Sequence, residues 1–325
     1  MTNRWVPIMG QFDCSPERIV FDGRPVVPLD SAGQPQPQQP PQATAGIALC
    51  DQKMANGNLR ASVEFTDVTP LSVCELIVRY DVRTRAMITA GLGGSWGMFS
   101  IRQWVAPSSP ESVGAWTNHQ LTGDRANLRP GVPYDLVVLN QGSVITLEVD
   151  GVQVATSALP TMSSQASQTG IFCLGQSPIT LRGFTVETER PKAFIVMQFS
   201  SPYNEVYSEV IKAVCDDFSI DAVRADEIYG PGIIIRDVID SISRSQVVIA
   251  DISPSNCNVY FEVGYALAMG KPIILLAQRR AADTPLPFDL SAFRVLFYDD
   301  TIGGKPKVEA GLRNHLREIL GRSAQ

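Results

Sequence analysis

The chain has 325 residues, of which 44% are hydrophobic and 18% are charged. This composition excludes a wholly disordered chain, and at about 150 residues per domain the length predicts two domains. The net charge of −6 argues against a non-specific nucleic-acid binder, which needs a basic face. The sequence shows no apolar stretch of the length that spans a membrane, and no secretion signal. We therefore expect a cytoplasmic protein whose partners include neither nucleic acid nor a membrane.

The six cysteines form no C-x-x-C pair, and several of them lie inside apolar runs. This pattern favours reduced, buried thiols over disulfides or a zinc site. The two histidines, His119 and His315, are far apart in sequence, which gives little support to a histidine metal site or a Ser-His-Asp triad. We therefore expect no metal and no resident cofactor.

Residues 31–45 read SAGQPQPQQPPQATA, a Pro/Gln-rich tract that cannot pack a core. Since only thirty residues precede it, we interpret it as a long exposed loop within the first domain. It is not expected to separate two domains.

Hydrophobic residues recur with a period of two from about residue 46 to residue 189, which is typical of β-strands. Asp150 and Gly151 form the preferred pair for a two-residue hairpin turn, because both turn positions need a positive φ. Many short strands without a convincing helix predict an all-β jelly-roll sandwich over residues 1–189. The predicted strands are 59–68, 71–81, 87–92, 97–105, 134–140, 144–149, 152–157, 170–174 and 179–187.

The segment 131–156, GVPYDLVVLNQGSVITLEVDGVQVAT, resembles the concanavalin-like and laminin-G-like jelly rolls in its strand, turn and V-D-G hairpin. This resemblance implies that the sandwich binds a glycan, a small molecule or a protein, or else serves as a packing module. The residues alone leave these alternatives open.

The hydrophobic pattern changes near residues 189–192, and strands then alternate with helices. The apolar run 193–199 is typical of a strand buried on both faces of a parallel sheet. The alternation predicts a flavodoxin-like α/β domain over residues 190–325 with a five-stranded parallel sheet. The predicted strands are 193–199, 220–224, 246–252, 272–277 and 293–298. The predicted helices begin at about 203 and cover 231–244, 258–269 and the region of 312–320.

Ligands of open parallel sheets bind beyond the carboxyl ends of the strands, so polar residues there are candidate site residues. Asn258 and Glu262 are four residues apart and share one helix face, where Asn258 could also cap the helix. Glu262 either lines a cleft or is an ordinary first-turn acid favoured by the helix dipole. The other candidates are Gln198, Phe199, Ser200, Arg224, Asp226, Asp251 and Tyr265.

Residues 193–277 resemble the nucleoside 2-deoxyribosyltransferase-like and TIR-like superfamily. The matching segments are AFIVMQFS at 193–200, RADEI at 224–228 and VVIADISPSNCNVYFEVGYALAMGKPIILL at 247–276. By this resemblance Glu262 is the catalytic carboxylate at the anomeric carbon, and Asp251, the motif's strand-end acid, is also catalytic. Asn258, the motif's helix-start amide, is implied as a substrate-binding residue. The remaining strand-end candidates are implied as substrate-binding residues.

The resemblance implies an NAD(P)+ glycohydrolase-type N-ribosyl hydrolase with NAD(P)+ as its substrate. It also implies a homo-oligomer, with the sandwich activating a bacterial defence effector through assembly or ligand binding. Where deoxyribosyltransferases carry an Asp six residues before the Glu, this chain has Asn256. Two alternatives therefore remain, a nucleoside (deoxy)ribosyltransferase and a non-catalytic nucleotide-binding or sensing module.

Overall fold

The computed structural model describes residues 3–28, 34–36, 40–94, 97–107, 114–159, 165–227, 234–279, 293–299, 301 and 303–321. The chain divides into two compact units. Unit 1 comprises residues 1–140, 144–157 and 167–189. Unit 2 comprises residues 190–325 together with the short segments 141–143 and 158–166.

The described part of unit 1 consists of β-strands in two antiparallel sheets, joined by loops and one short 3-10 turn at Arg125–Asn127. The strands are β1 (Trp5–Met9), β2 (Phe12–Cys14), β3 (Arg18–Phe21), β4 (Pro25–Val26), β5 (Gln42–Met54), β6 (Gly57–Phe65), β7 (Val73–Tyr80), β8 (Met87–Leu92), β9 (Phe99–Val105), β10 (Ala115–Thr122), β11 (Pro133–Gln141), β12 (Val144–Val149), β13 (Val152–Ala158), β14 (Ser167–Gly175) and β15 (Ile179–Thr188). One sheet has the order β1-β5-β14-β7-β8-β9-β10, with β4 paired to β5. The other has the order β13-β12-β11-β6-β15-β3-β2. These sheets confirm the predicted all-β sandwich.

The predicted hairpin turn lies between β12 and β13. Asp150 has a φ of 51° and Gly151 a φ of 76°, so both central residues adopt the left-handed conformation that this turn requires. No atom of the described residues lies within 4 Å of a Cβ built on Gly151, so the glycine is favoured there by its backbone conformation.

The Pro/Gln-rich tract ends earlier than the sequence predicts, because β5 begins at Gln42. The last residues of the tract pair with β14, where Thr44 lies opposite Gly175 and Ala45 opposite Leu174. The predicted loop 31–45 is therefore wrong for its final four residues. Residues 31–33 and 37–39 of the tract lie outside the described residues.

Unit 2 contains a parallel sheet with helices on both faces. Its strands are β16 (Lys192–Val196), β17 (Asp221–Arg224), β18 (Val247–Asp251), β19 (Ile273–Gln278) and β20 (Val295–Tyr298). Its helices are α1 (Tyr203–Val206), α2 (Lys212–Asp217), α3 (Ile234–Arg244), α4 (Cys257–Ala268) and α5 (Gly304–Leu320). A π turn at Tyr207–Ile211 joins α1 to α2, and a 3-10 turn lies at Ala225–Glu227. The start predicted for the second helix, 231–233, lies outside the described residues.

The strand order is β17-β16-β18-β19-β20, and each described pair is parallel. In chain order this is 2-1-3-4-5, which confirms the predicted flavodoxin-like sheet. Ile195 belongs to the core on the side of α2 and α5, and Phe194 to the core on the side of α3 and α4. Alternate residues of one strand therefore bury into opposite layers.

The first strand of this sheet is shorter than the apolar run of the sequence. It ends at Val196, so Gln198 and Phe199 lie beyond its carboxyl end. Strand order reverses between β16 and β18, which places the switch point of the sheet beside these two residues. In the described residues, no helix is long and apolar enough to cross a membrane.

Candidate active site at the carboxyl edge of the parallel sheet

A cleft of about 590 Å³ opens at the switch point of the unit 2 sheet. It combines residues that follow β16, residues of the β17–α3 region and the N-terminal half of α4. Its lining residues are Met197, Gln198, Phe199, Ala225, Ile235, Val238, Asn256, Asn258, Val259, Phe261 and Glu262. Four of the sequence-predicted site residues therefore meet in one cleft: Gln198, Phe199, Asn258 and Glu262.

Glu262 is the one charged residue among the described residues that line the cleft. Its side chain is partly buried, and burial raises the pKa of its carboxyl from the ordinary 4.5 to about 7. Unlike an acid held in an ion pair, it has no salt bridge to any described residue. A carboxylate with a raised pKa in a cleft is suited to proton transfer or to stabilising positive charge.

Helix α4, which carries Glu262, is capped by Asn256. The Oδ1 of Asn256 accepts a hydrogen bond from the backbone N–H of Asn258 at 2.9 Å. This bond satisfies one of the backbone donors that a helix start leaves free. The alternative that Asn258 caps the helix is therefore wrong. Asn258 instead lies in the first turn, one turn before Glu262 on the same face.

Asn256 also connects α4 to the first strand. Its Nδ2 donates a hydrogen bond of 2.6 Å to Oε1 of Gln198, which follows β16. The two strand ends on either side of the switch point are thus joined by a side-chain amide pair within the cleft lining. The sequence marked Asn256 only as a departure from a motif, and its pairing with Gln198 was not predicted.

Asp251 lies outside the described lining of the cleft. It is fully buried at the end of β18, where Oδ2 accepts from the Tyr298 hydroxyl at 2.6 Å and Oδ1 from the Ser253 backbone N–H at 2.9 Å. Burial raises the pKa of Asp251 to about 6, and the hydrogen bonds from Tyr298 and Ser253 oppose that rise. These contacts join β18 to the end of β20. A direct role in a reaction stays a prediction.

Arg224 and Asp226 also lie outside the described lining, and they bind each other. Arg224 Nε and Nη2 donate to the two carboxylate oxygens of Asp226 at 2.6 Å each, and Nη1 donates to Asn204 at 2.9 Å. The guanidinium lies 4.4 Å from the ring centroid of Tyr207 and 5.1 Å from that of Phe199. Arg224 is buried, and its guanidinium packs against the Phe199 ring.

Tyr207 takes part in the same network. Its hydroxyl donates to Glu227 Oε2 at 2.9 Å, and burial together with this acceptor raises the pKa of the Tyr207 phenol well above its usual range. The two acids that follow β17 are therefore both occupied, one by a guanidinium and one by a phenol. Asp226 and Glu227 therefore hold Arg224 and Tyr207 in place beside the cleft.

The remaining predicted site residues, Ser200 and Tyr265, are absent from the described lining of the cleft. The carbonyl of Ser200 accepts from the backbone N–H groups of Tyr203 and Asn204 at the start of α1. Tyr265 is partly buried against the core beside α3 and α4.

Phe261 and Ile235 line the cleft but were not predicted as site residues. They are 50% and 42% exposed, so both present apolar surface to solvent. Phe261 is three residues after Asn258 and adjacent to Glu262, so helical spacing could have placed it on the same face. No comparable signal exists for Ile235, because its position depends on the path of the chain between β17 and α3.

Lys271, in the G-K-P part of the motif, binds backbone carbonyls at the end of another helix. Its Nζ donates to the backbone carbonyls of Ser243 and Ser245 at 2.6 Å each, at the end of α3. An ammonium at this position stabilises the carbonyls that a helix leaves free at its C-terminus. Gly270, with a φ of 63°, ends α4 just before it.

Unit 1 carries a buried ion pair that the sequence did not predict. Arg102 Nε and Nη2 donate to the two oxygens of Glu75 at 2.7 Å each, and Thr89 donates to the same carboxylate at 2.7 Å. The Arg102 guanidinium also lies 4.2 Å from the ring centroid of Trp116. Trp116 in turn contacts Trp104 and Phe172, with centroids 5.4 and 5.1 Å away.

These three rings form an aromatic cluster, defined as Trp104, Trp116 and Phe172. The strand register places Trp104 opposite Trp116, and Phe172 opposite Glu75. The cluster and the ion pair therefore share one face of the sheet that contains β9 and β10. Both tryptophans are partly exposed. Among the described residues, no group of three or more His, Cys, Asp or Glu side chains is placed to hold a metal ion.

No protein-family model and no curated protein matches the sequence. Among solved structures, a carbohydrate-binding module from Bacillus subtilis covers 56% of this chain and 94% of its own, at 10% identity and a TM-score of 0.40. A CMP N-glycosidase from Clostridium botulinum covers 37% and 98%, at 17% identity and a TM-score of 0.28. The TIR domain of a Toll-related receptor from Hydra magnipapillata covers 39% and 96%, at 18% identity and a TM-score of 0.31. All three TM-scores are below 0.5, so these similarities assign no function to this chain.

Proposed function

We propose that unit 2 hydrolyses an N-glycosidic bond, as an NAD(P)+ glycohydrolase does. The observation that carries this proposal is Glu262, a carboxylate in a cleft at the switch point of the sheet, with burial raising its pKa to about 7. The motif around Glu262 resembles that of the nucleoside 2-deoxyribosyltransferase-like and TIR-like superfamily. Position, environment and motif thus favour the same residue.

The chemistry requires an anion beside the sugar. When the bond to the base breaks, the electron pair leaves with the base, and positive charge develops on the anomeric carbon and the ring oxygen. The Glu262 carboxylate stabilises this charge, and water then adds its oxygen to the anomeric carbon and releases a proton. Nicotinamide in NAD(P)+ leaves as a neutral molecule, so the reaction needs no strong general acid.

The walls of the cleft fit the leaving base. Phe199 and Phe261 are 46% and 50% exposed, and both line the cleft that contains Glu262. An aromatic ring offers a flat apolar surface on which a base can stack. A cationic pyridinium gains in addition from the negative charge of Glu262.

The test is product release by the full chain at high protein concentration. NAD+, NADP+ and nucleosides are incubated separately, and the released base is measured by chromatography. Glu262→Gln should abolish most of the release, whereas Glu318→Gln, which removes an exposed carboxylate on α5, should leave it unchanged. Base release by wild type that persists in Glu262→Gln would refute the assignment.

Two alternatives are separated by the same assay. A nucleoside (deoxy)ribosyltransferase would release base only when a second base is supplied, and the sugar would appear on that acceptor. A nucleotide-binding or sensing module would bind ligand without releasing base. The hydrolase hypothesis requires that base is released with water as the only acceptor of the sugar.

We further propose that unit 1 binds a ligand through the aromatic cluster, a glycan in preference to a small molecule or a protein. Partly exposed tryptophan rings can stack on the apolar faces of sugar rings. Isothermal titration of the full chain with an oligosaccharide panel tests this. Trp104→Ala should remove the binding, and Trp5→Ala, in β1, should keep it. An undiminished affinity of Trp104→Ala would contradict the proposal.

In this proposal unit 1 regulates the hydrolase through ligand binding or assembly into a homo-oligomer, as a bacterial defence effector would. Light scattering and base release are measured together over a range of protein concentrations, with and without the unit 1 ligand. Specific activity should rise with oligomer mass or with ligand. Activity independent of both would remove the regulatory role.

A further inference from the structure

The hydrogen bonds at the switch point run in one direction, starting from a backbone group. The backbone N–H of Asn258 can only donate, so the end of the Asn256 side chain that it contacts at 2.9 Å is the oxygen. The Asn256 nitrogen then faces Gln198 and donates to Oε1 at 2.6 Å. A backbone amide thus fixes the orientation of two side-chain amides, each of which could otherwise be turned by half a rotation.

This orientation determines which end of the Gln198 amide is turned away from Asn256. Its oxygen accepts from Asn256 and is turned towards it, so the other end of the Gln198 amide carries Nε2 with its two N–H donors. Gln198 lines the cleft, and Nε2 has no hydrogen bond to any residue in the described part of the chain. We propose that Asn256 is a positioning residue that makes Gln198 present a donor, so that the cleft selects a base carrying a carbonyl acceptor over one carrying an amino donor.

This inference rests on the proposed function and concerns the base that leaves. Gln198 is followed directly by Phe199, whose exposed ring is the surface on which a base would stack. A group beside a stacked base reaches the edge of that base, where carbonyl and amino substituents distinguish one base from another. A ribose hydroxyl would both donate and accept, and it would give no such selection.

Two substitutions should reverse the polarity of the amide pair. Asn256→Asp keeps an oxygen for the α4 cap but offers only acceptors, so Gln198 must turn to donate Nε2 to it and present Oε1 to the ligand. Gln198→Glu has the same effect from the other side, because it replaces the donor itself. Asn256→Ser keeps a capping oxygen and removes the amide, so it should leave Gln198 free to turn either way.

The experiment compares neutral nucleosides that carry a carbonyl or an amino group at the same position of the base, uridine with cytidine and inosine with adenosine. Affinity is measured by titration calorimetry and base release by chromatography, with thermal melts as a check on folding. Wild type should prefer the carbonyl member of each pair by about 10-fold to 100-fold. Asn256→Asp and Gln198→Glu should reverse that preference, and Asn256→Ser should reduce it towards unity.

The variant Asn256→Ser separates this inference from a charge effect, because it removes the amide without adding a negative charge. Preference that is absent in wild type, or unchanged in both acidic variants, would overturn the inference. Selective binding without base release from these nucleosides would support the inference, and base release from NAD+ and NADP+ by the same protein tests the hydrolase separately. Base release without selection would support the hydrolase and overturn the inference, and no binding of any of the four nucleosides would also overturn the inference.

Discussion

Replacing Glu262 by glutamine removes the charge of the candidate site at nearly constant volume. If the carboxylate stabilises positive charge on the sugar, its loss should raise the barrier by about 3–4 kcal/mol, a decrease in rate on the order of 10²–10³. Because burial raises the pKa of this carboxyl to about 7, the wild-type rate should increase as the pH rises through about 7.

The same substitution should stabilise the fold. The native state holds the Glu262 proton more tightly than the unfolded state, since the pKa rises from 4.5 to about 7. Ionisation over that pH range therefore lowers the free energy of unfolding, by at most about 3 kcal/mol above the upper pKa. Glu262 keeps some contact with solvent, so we discount the effect to about 1–2 kcal/mol.

Glutamine is neutral at every pH, so the gain in Glu262→Gln should be small near pH 5 and largest near pH 8. It corresponds to a rise in melting temperature of about 2–8 °C. The assay pairs release of base by chromatography with thermal melts at both pH values, and Glu318→Gln is the control. A variant with full activity would refute the catalytic reading. A variant less stable than wild type at pH 8 would refute the account of the pKa.

Three further predictions concern buried polar contacts. Tyr298→Phe removes a hydrogen bond to Asp251 and should lower the free energy of unfolding by about 1–3 kcal/mol. The loss should be larger at pH 8 than at pH 5, because this bond favours the ionised form of Asp251, whose pKa is about 6. Chemical denaturation at both pH values measures this, and a pH-independent loss would contradict it. Arg224→Lys keeps the charge but loses the two-pronged bond to Asp226, and it should cost about 1–2 kcal/mol in urea unfolding; an unchanged midpoint would count against that bond. Glu75→Gln leaves Arg102 as a buried unpaired charge and should cost about 3–5 kcal/mol in a thermal melt, so an unaltered melt would disprove the importance of the pair.

The sequence alone determined the fold class and part of the site. Alternation with a period of two predicts nine of the strands of unit 1, β6–β9 and β11–β15, but not β1–β5 or β10. Continuous apolar runs separated by helical spacing predict the parallel sheet of unit 2, because burial on one face or on both leaves a local pattern. Gln198, Phe199, Asn258 and Glu262 could be chosen since strand ends of a parallel sheet meet at one edge. In the structure these four residues line one cleft.

Only the tertiary structure decided which polar residues are free to meet a ligand and which are bound within the fold. Asp251 lies at the carboxyl edge of the sheet as Gln198 does, but its carboxylate bonds to Tyr298, 47 positions along the chain. Gln198 bonds to Asn256, 58 positions away. Local patterns carry the periodicity of an element but not the identity of its distant partners, and burial, hydrogen bonding and hence pKa depend on those partners.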